Sequence, residues 1–104
     1  MSIIKSVILD EYDRNKRMQQ TYKMELANFP RGSITRKNIK GRDYYYWMYR
    51  ENGKVVNKYI SGKSNNMDEL MRQVEKRKQV ELLIRNLKIE QLEMERYLRG
   101  AAHG

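Results

Sequence analysis

Asp43-Tyr44-Tyr45-Tyr46-Trp47-Met48-Tyr49-Arg50-Glu51-Asn52-Gly53-Lys54-Val55-Val56-Asn57-Lys58-Tyr59-Ile60 is the stretch that decides the fold. Aromatic and β-branched side chains dominate both halves, which suits a pleated, half-buried surface. Between the halves stands Asn52-Gly53, the preferred pair for a type I′ hairpin, because both residues tolerate positive φ. Pairing outward from that turn sets Tyr49 opposite Val56, Trp47 opposite Lys58 and Tyr45 opposite Ile60.

Working upstream, Ser33 to Lys40 reads as a first strand, joined to a second at Asp43 to Arg50 by Gly41-Arg42 in a type II′ turn. That turn sets Ile39 opposite Tyr44, Lys37 opposite Tyr46 and Ile34 opposite Tyr49. The three strands, the last being Lys54 to Ile60, make an antiparallel meander with two distinct faces. One carries Ile34, Arg36, Asn38, Tyr45, Trp47, Tyr49, Val56, Lys58 and Ile60. Its apolar members form a contiguous patch and make it the core face. Arg36 and Lys58 are expected to flank Trp47 and lay their stems over its ring. The other carries Thr35, Lys37, Ile39, Tyr44, Tyr46, Met48, Arg50, Val55, Asn57 and Tyr59. Consecutive aromatics can be packing alone. Against that, burying Lys37, Arg50 and Asn57 without acidic partners costs several kcal/mol, so the second face is expected to stay open.

The flanks read as helices. From Ile3 to Asn28, apolar or aromatic residues recur at Ile4, Ile8, Tyr12, Met18, Tyr22 and Leu26, and no Gly or Pro interrupts them. Phe29-Pro30-Arg31-Gly32 is the stop. The middle, Asp13 to Gln20, is polar nearly all round. The second helix is expected from Met67 to Arg99, with Asn66 as cap and Asp68 and Glu69 in its first turn. Met67, Leu70, Val74, Val80, Ile84, Leu87, Met94 and Leu98 make its apolar row, and Gly100 ends it. Leu83, Ile89 and Leu92 widen that stripe, which suggests more than one neighbour. The expected fold class is α+β: a long N-terminal helix (3–28), a three-stranded antiparallel β-meander (33–60) and a long C-terminal helix (67–99), forming a single domain over 1–104. Residues 61–66 read as the linker from sheet to helix.

Composition excludes much chemistry. The chain has 104 residues, no Cys and one His, His103, so thiolate metal sites and disulfides are impossible. No phosphate-binding glycine loop, zinc-helix pair or calcium loop is present. Asp10, Glu11 and Asp13 stand among Arg14, Lys16 and Arg17 and read as solvated charge. Ser33 and Ser61 have no base to activate them. Neither catalysis nor a cofactor is expected. No apolar run approaches the ~20 residues that span a bilayer, and the N-terminus lacks a secretory layout, so the expected location is cytoplasmic.

Charge points to the partner. The chain carries a net +9. Residues 31–63 hold nine cations against Asp43 and Glu51, a net +7 that leaves the helices nearly balanced. Cations beside flat rings on a small sheet suit a polyanion with bases that can stack. The candidate nucleic-acid-binding residues are Arg36, Lys37, Lys40, Arg42, Tyr44, Tyr46, Arg50, Lys54, Asn57, Lys58 and Tyr59. Two modes fit: a sheet in a DNA major groove, or unstacked DNA or RNA bases on the tyrosines. A protein inhibitor docking on a nucleic-acid-bound host nuclease or its guide RNA, and a dimerisation adaptor built on the long helices, are the other classes.

The stretch Phe29-Pro30-Arg31-Gly32-Ser33-Ile34, Ile39-Lys40-Gly41-Arg42-Asp43-Tyr44-Tyr45-Tyr46, Arg50-Glu51-Asn52-Gly53-Lys54-Val55 and Lys58-Tyr59-Ile60 resembles an uncharacterised family of small helix–three-strand–helix proteins of bacteria, archaea and their mobile elements. It covers about a third of the chain closely. More distantly, three strands followed by a helix are similar to the arm-type DNA-binding domain of phage integrases, which insert the sheet into the major groove. That resemblance implies contacts from the open face and from Lys40, Arg42 and Lys54 at the hairpin tips. It also implies a phage or mobile-element protein, acting in the host cytoplasm if phage-encoded. The chain departs from arm-type domains in its long N-terminal helix, and no recombinase domain is expected after it.

Overall fold

Ser2 opens the first helix by accepting a hydrogen bond from the Lys5 amide at 3.1 Å, satisfying one of the donors that a helix start leaves free. The computed structural model of the protein describes residues 2–60 and 65–103. Their order is α1 (Ile3–Leu26), β1 (Ser33–Ile39), β2 (Arg42–Glu51), β3 (Lys54–Ile60) and α2 (Asn65–His103). This is the α+β helix–meander–helix fold expected from the sequence. The expected linker lies, at residues 61–64, outside the described residues. No helix among those described is long and apolar enough to cross a membrane. The chain falls into two compact units: α1 with the part of α2 from Val80 onward, and the stretch Asn28–Gln79.

In the first unit the two helices meet along a seam that is as polar as it is apolar. Val80 and Ile84 of α2 are buried, yet so are Asn15 and Gln19 of α1, at 3% and 6% exposure. Burying amides costs free energy unless every donor and acceptor is paired, and here they are paired in a chain. Asn15 Nδ2 donates to the Leu87 carbonyl at 2.9 Å. Gln19 Nε2 donates to Asn15 Oδ1 at 2.6 Å and to Gln91 Oε1 at 2.7 Å. Gln91 Nε2 and the Tyr12 hydroxyl both donate to Glu95 Oε1, at 3.0 and 2.9 Å. Of the polar middle of α1, Asn15 and Gln19 are therefore interior and continue the Ile8–Tyr12 spacing to Tyr22 and Leu26, while Asp13, Arg14, Lys16, Arg17 and Gln20 stay exposed. No buried side-chain nitrogen or oxygen among the described residues lacks a partner.

Helix ends differ from expectation in three places: α1 stops at Leu26, two residues before Asn28, and α2 departs at both ends. α2 starts at Asn65, so Asn66 lies within its span, while Asp68 keeps its first-turn position. Gly100 does not stop α2, which runs on to His103. A glycine costs a helix only about 1 kcal/mol relative to alanine, and Ala101 and Ala102 follow with the highest propensity of any residue.

In the second unit the strand order is β1-β2-β3, antiparallel throughout. The β2–β3 register is the expected one: Tyr49 faces Val56, Trp47 faces Lys58 and Tyr45 faces Ile60. Asn52 and Gly53 have φ of 53° and 78°, as a type I′ turn requires. The β1–β2 register is displaced by two residues from the expected one. The turn is Lys40-Gly41, with φ of 53° and 81°, and not Gly41-Arg42. Hence Ile39 faces Arg42, Lys37 faces Tyr44 and Ile34 faces Trp47. Holding a lysine at positive φ costs about 1 kcal/mol. The displaced register brings Asn38 opposite Asp43, where Asn38 Nδ2 donates to Asp43 Oδ1 at 2.9 Å. A shift of two preserves which side chains share a face. It does remove Arg36 from Trp47: Arg36 now faces Tyr45, with Nη1 4.0 Å from Asp43 Oδ2.

The loop before the sheet is held from both sides. Trp47 Nε1 donates to the Arg31 carbonyl at 2.8 Å, and Arg77 Nη1 donates to the Phe29 carbonyl at 2.9 Å. Lys76 Nζ lies 5.5 Å from the Phe29 ring centroid, within cation–π range. Met67 and Val74 of α2 are buried. Gly32, at φ 105°, crosses the end of β2 so closely that a Cβ there would drive into the Met48 carbonyl and lie 2.9 Å from the Tyr49 Cβ.

Two outcomes follow for stability. Gly32→Ala combines a left-handed backbone with that clash, and urea unfolding should show a loss of about 2 kcal/mol or more. In the seam, the Gln91 and Tyr12 hydrogen bonds hold the Glu95 carboxyl below its ordinary range, and the bond to Glu95 holds the Tyr12 hydroxyl above its own. The Glu95 contribution is therefore complete above about pH 4.5 and fades as pH falls through the lowered value. That of Tyr12 is complete below about pH 10 and fades as pH rises through the raised value. In thermal melts followed by circular dichroism, the parent chain should outlast Glu95→Gln at neutral pH, and that advantage should shrink as pH falls below about 4.5.

Candidate nucleic-acid interface

β2 carries Arg42 to Glu51 in strict alternation, so its charges are sorted by sign. Asp43 and Glu51 share the face of Trp47 and Tyr49. Asp43 there meets Arg36 and Asn38, and Glu51 faces Lys54. Arg42 and Arg50 share the opposite face with Tyr44, Tyr46 and Met48. β1 adds Lys37 to this face, and β3 adds Val55, Asn57 and Tyr59. It holds three cations and no strand acid.

Its centre is a ring cluster. The Tyr46 and Tyr59 centroids are 5.6 Å apart with planes at 64°, an edge-to-face contact. Tyr44 and Tyr59 are 6.2 Å apart at 46°. Both separations fall in the range of favourable aromatic pairs. Lys37 Nζ lies 4.9 Å from the Tyr46 centroid, so its ammonium sits over one ring. Tyr44 and Tyr46 are half-buried, whereas Tyr59 remains 55% exposed. Met48, at 40% exposure, stands diagonally across from it, and Val55, at 59%, lies four residues along β3 beyond Asn57. Lys37, Arg42, Arg50 and Asn57 are exposed as well.

Of the eleven residues expected in the interface, this face brings together seven: Lys37, Arg42, Tyr44, Tyr46, Arg50, Asn57 and Tyr59. Lys40 is in the β1–β2 turn. Arg36, Lys54 and Lys58 lie on the tryptophan face, two of them opposite or beside an acid.

Sequence reasoning did not include Arg31 in the site. At the end of the tyrosine face an open groove of about 420 Å³ is lined by Arg31, Gly32, Ser33, Met48, Tyr49, Arg50 and Val55. The Trp47 bond to the Arg31 carbonyl fixes that side of it. No acid lines the groove, and neither Arg31 nor Arg50 has an ion pair among the described residues. The signal in the sequence was Arg31-Gly32 directly before β1, which read only as a helix stop. No cluster of three or more side chains able to hold a metal occurs among the described residues.

Residues 4–73 match a family described as Domain of unknown function (DUF6788), and the chain belongs to that family. The match takes in α1, the whole sheet and the first turns of α2. An uncharacterised helix–sheet–helix family is thus established, and the match carries nothing specific to phages or integrase arms. No curated protein and no solved structure matches the chain.

Proposed function

We propose that this member of the DUF6788 family is a small, non-enzymatic nucleic-acid-binding protein that grips its ligand with the tyrosine face of its sheet. One observation carries the reading: Lys37, Arg42 and Arg50 share a face with an exposed ring cluster, while both strand acids lie on the other face. Cations unpaired with protein acids are free to displace counterions from phosphates, the main source of affinity for nucleic acid. Rings with an open face add stacking that tolerates any base. In this scheme Lys37, Arg42 and Arg50 meet phosphates, Tyr59 offers the stacking surface and Asn57 reaches a base edge. Lys40 extends the reach at the hairpin tip, and Arg36, Lys54 and Lys58 add long-range attraction. A phage or mobile-element origin rests on resemblance alone and is part of the proposal.

Fluorescence anisotropy with a labelled oligonucleotide tests it. Neutralising three phosphates should cost about 20-fold in affinity for a single strand, and about 40-fold for a duplex, between ~50 and ~200 mM salt. Reversing two cations, Arg42→Glu with Arg50→Glu, should abolish binding, whereas Arg36→Glu should weaken it only slightly. Absence of binding at ~50 mM salt removes the reading.

A second reading, a homodimer through the helices, has one observation in its favour. Leu82, Ile89 and Leu92 recur at heptad-like spacing on α2 and are all exposed, with Leu83 exposed beside them. Sedimentation equilibrium at micromolar concentration decides it: twice the chain mass supports the dimer, and a single chain mass overturns it.

A further inference from the structure

We infer that the ligand is an unpaired strand laid along β2, with its bases over Tyr59 and Met48 and a phosphate in the groove between Arg31 and Arg50; this rests on the reading of the tyrosine face as a nucleic-acid interface. The order of side chains along the face is the first support. Arg42 stands at one end, the three rings follow with the Lys37 ammonium over Tyr46, then Met48 with Asn57, and finally Arg50 with Val55 at the mouth of the groove. Cations thus bracket an aromatic and apolar middle.

The middle distinguishes an unpaired strand from a duplex. Tyr59, Met48 and Val55 are 55%, 40% and 59% exposed on neighbouring positions of the sheet. A duplex hides the faces of its bases and would present these residues with sugars, phosphates and base edges only. Unpaired bases bring a flat apolar face of their own, and covering it together with these side chains removes both from water. The polar side chains point the same way. Reading a major groove calls for several side chains free to form paired hydrogen bonds with base edges. In the middle of this face only Asn57 is of that type, and the ammonium of Lys37 is held over Tyr46.

The groove supplies the phosphate end. Arg31, Arg50 and Ser33 line it together with Met48 and Val55, and no acidic residue does. Guanidiniums match phosphate oxygens two at a time. From Arg42 to Arg50 the strand runs eight residue steps, roughly 27 Å. That length holds about four extended nucleotides, a site size within the range of small β-domains that bind single strands.

The test compares 12-mers of one mixed sequence, as single-stranded DNA, single-stranded RNA and duplex DNA, in anisotropy titrations of the full chain at ~50 mM salt. Either unpaired form should bind at least tenfold tighter than the duplex. Tyr59→Ala should weaken that binding about tenfold or more with an unchanged salt slope, and Tyr59→Phe should restore it. Arg31→Gln with Arg50→Gln should reduce the salt slope by about 0.7 for each phosphate that is no longer neutralised. Circular dichroism of each variant must match that of the parent. Duplex bound as tightly as, or more tightly than, both single strands overturns this inference and leaves the tyrosine face as a nucleic-acid interface. Binding of none of the three overturns both readings.

Discussion

Alternation along β2 is the constraint on which the rest of the sheet depends. A strand cannot turn two neighbouring side chains to the same face. Ten residues from Arg42 to Glu51 therefore fall into two sets, and the sets differ in chemistry. One holds Asp43, Tyr45, Trp47, Tyr49 and Glu51; the other holds Arg42, Tyr44, Tyr46, Met48 and Arg50. A slip of one residue in the β2–β3 hairpin would carry Lys54 and Lys58 from the side of Glu51 to that of Arg42 and Arg50, setting like charges together. The two turns prevent it. Asn52-Gly53 and Lys40-Gly41 are both two-residue loops with positive φ, a geometry whose twist agrees with that of the strands. Gly32 adds a further restraint, since the chain passes over the end of β2 only where no side chain intervenes.

Legibility in the sequence tracked how local each determinant was. The β2–β3 register could be read because Asn-Gly specifies its turn almost alone. The β1–β2 register could not, because a lysine took the positive-φ position that glycine was expected to fill. The pairings that accompany that turn are Asn38 with Asp43, five residues apart, and Ile34 with Trp47 further along the strands. The face assignment survived because the displacement was even. The reach of α2 beyond Gly100 was misread for a related reason, a single weak breaker outweighed by the alanines after it. Arg31 was missed because its place in the groove depends on a hydrogen bond from Trp47, sixteen residues away.

Asn15 and Gln19 show the limit of reading helices by apolar period. Their spacing continues that of Ile8 and Tyr12, and only their polarity hid it. A seam in which amides and a carboxylate satisfy one another adds less stability than leucines would, but it restricts the alignments two helices can adopt. Sliding α1 by one turn would leave Gln19 and Asn15 buried without partners, at a cost of about 1–3 kcal/mol for each group. Apolar contacts such as those of Val80 and Ile84 tolerate such a slide far better. The polar middle of α1 thus sets the register of the first unit in the way that the turns set that of the sheet.

Net charge and contact charge are different quantities in this protein. The +7 of residues 31–63 acts as a whole on an approaching polyanion, because its potential extends over about 8 Å at physiological salt. Every cation contributes there, including Arg36, Lys54 and Lys58. Affinity at contact depends on charges that reach phosphates without first leaving an acid. Arg36 is 4.0 Å from Asp43, and Lys54 faces Glu51, so both would exchange one partner for another. Lys37, Arg42 and Arg50 face no acid on their side of the sheet. The sorting of sign by face therefore separates two roles that a count of lysines and arginines merges. Under the proposed function, the whole segment draws the ligand in and one face holds it.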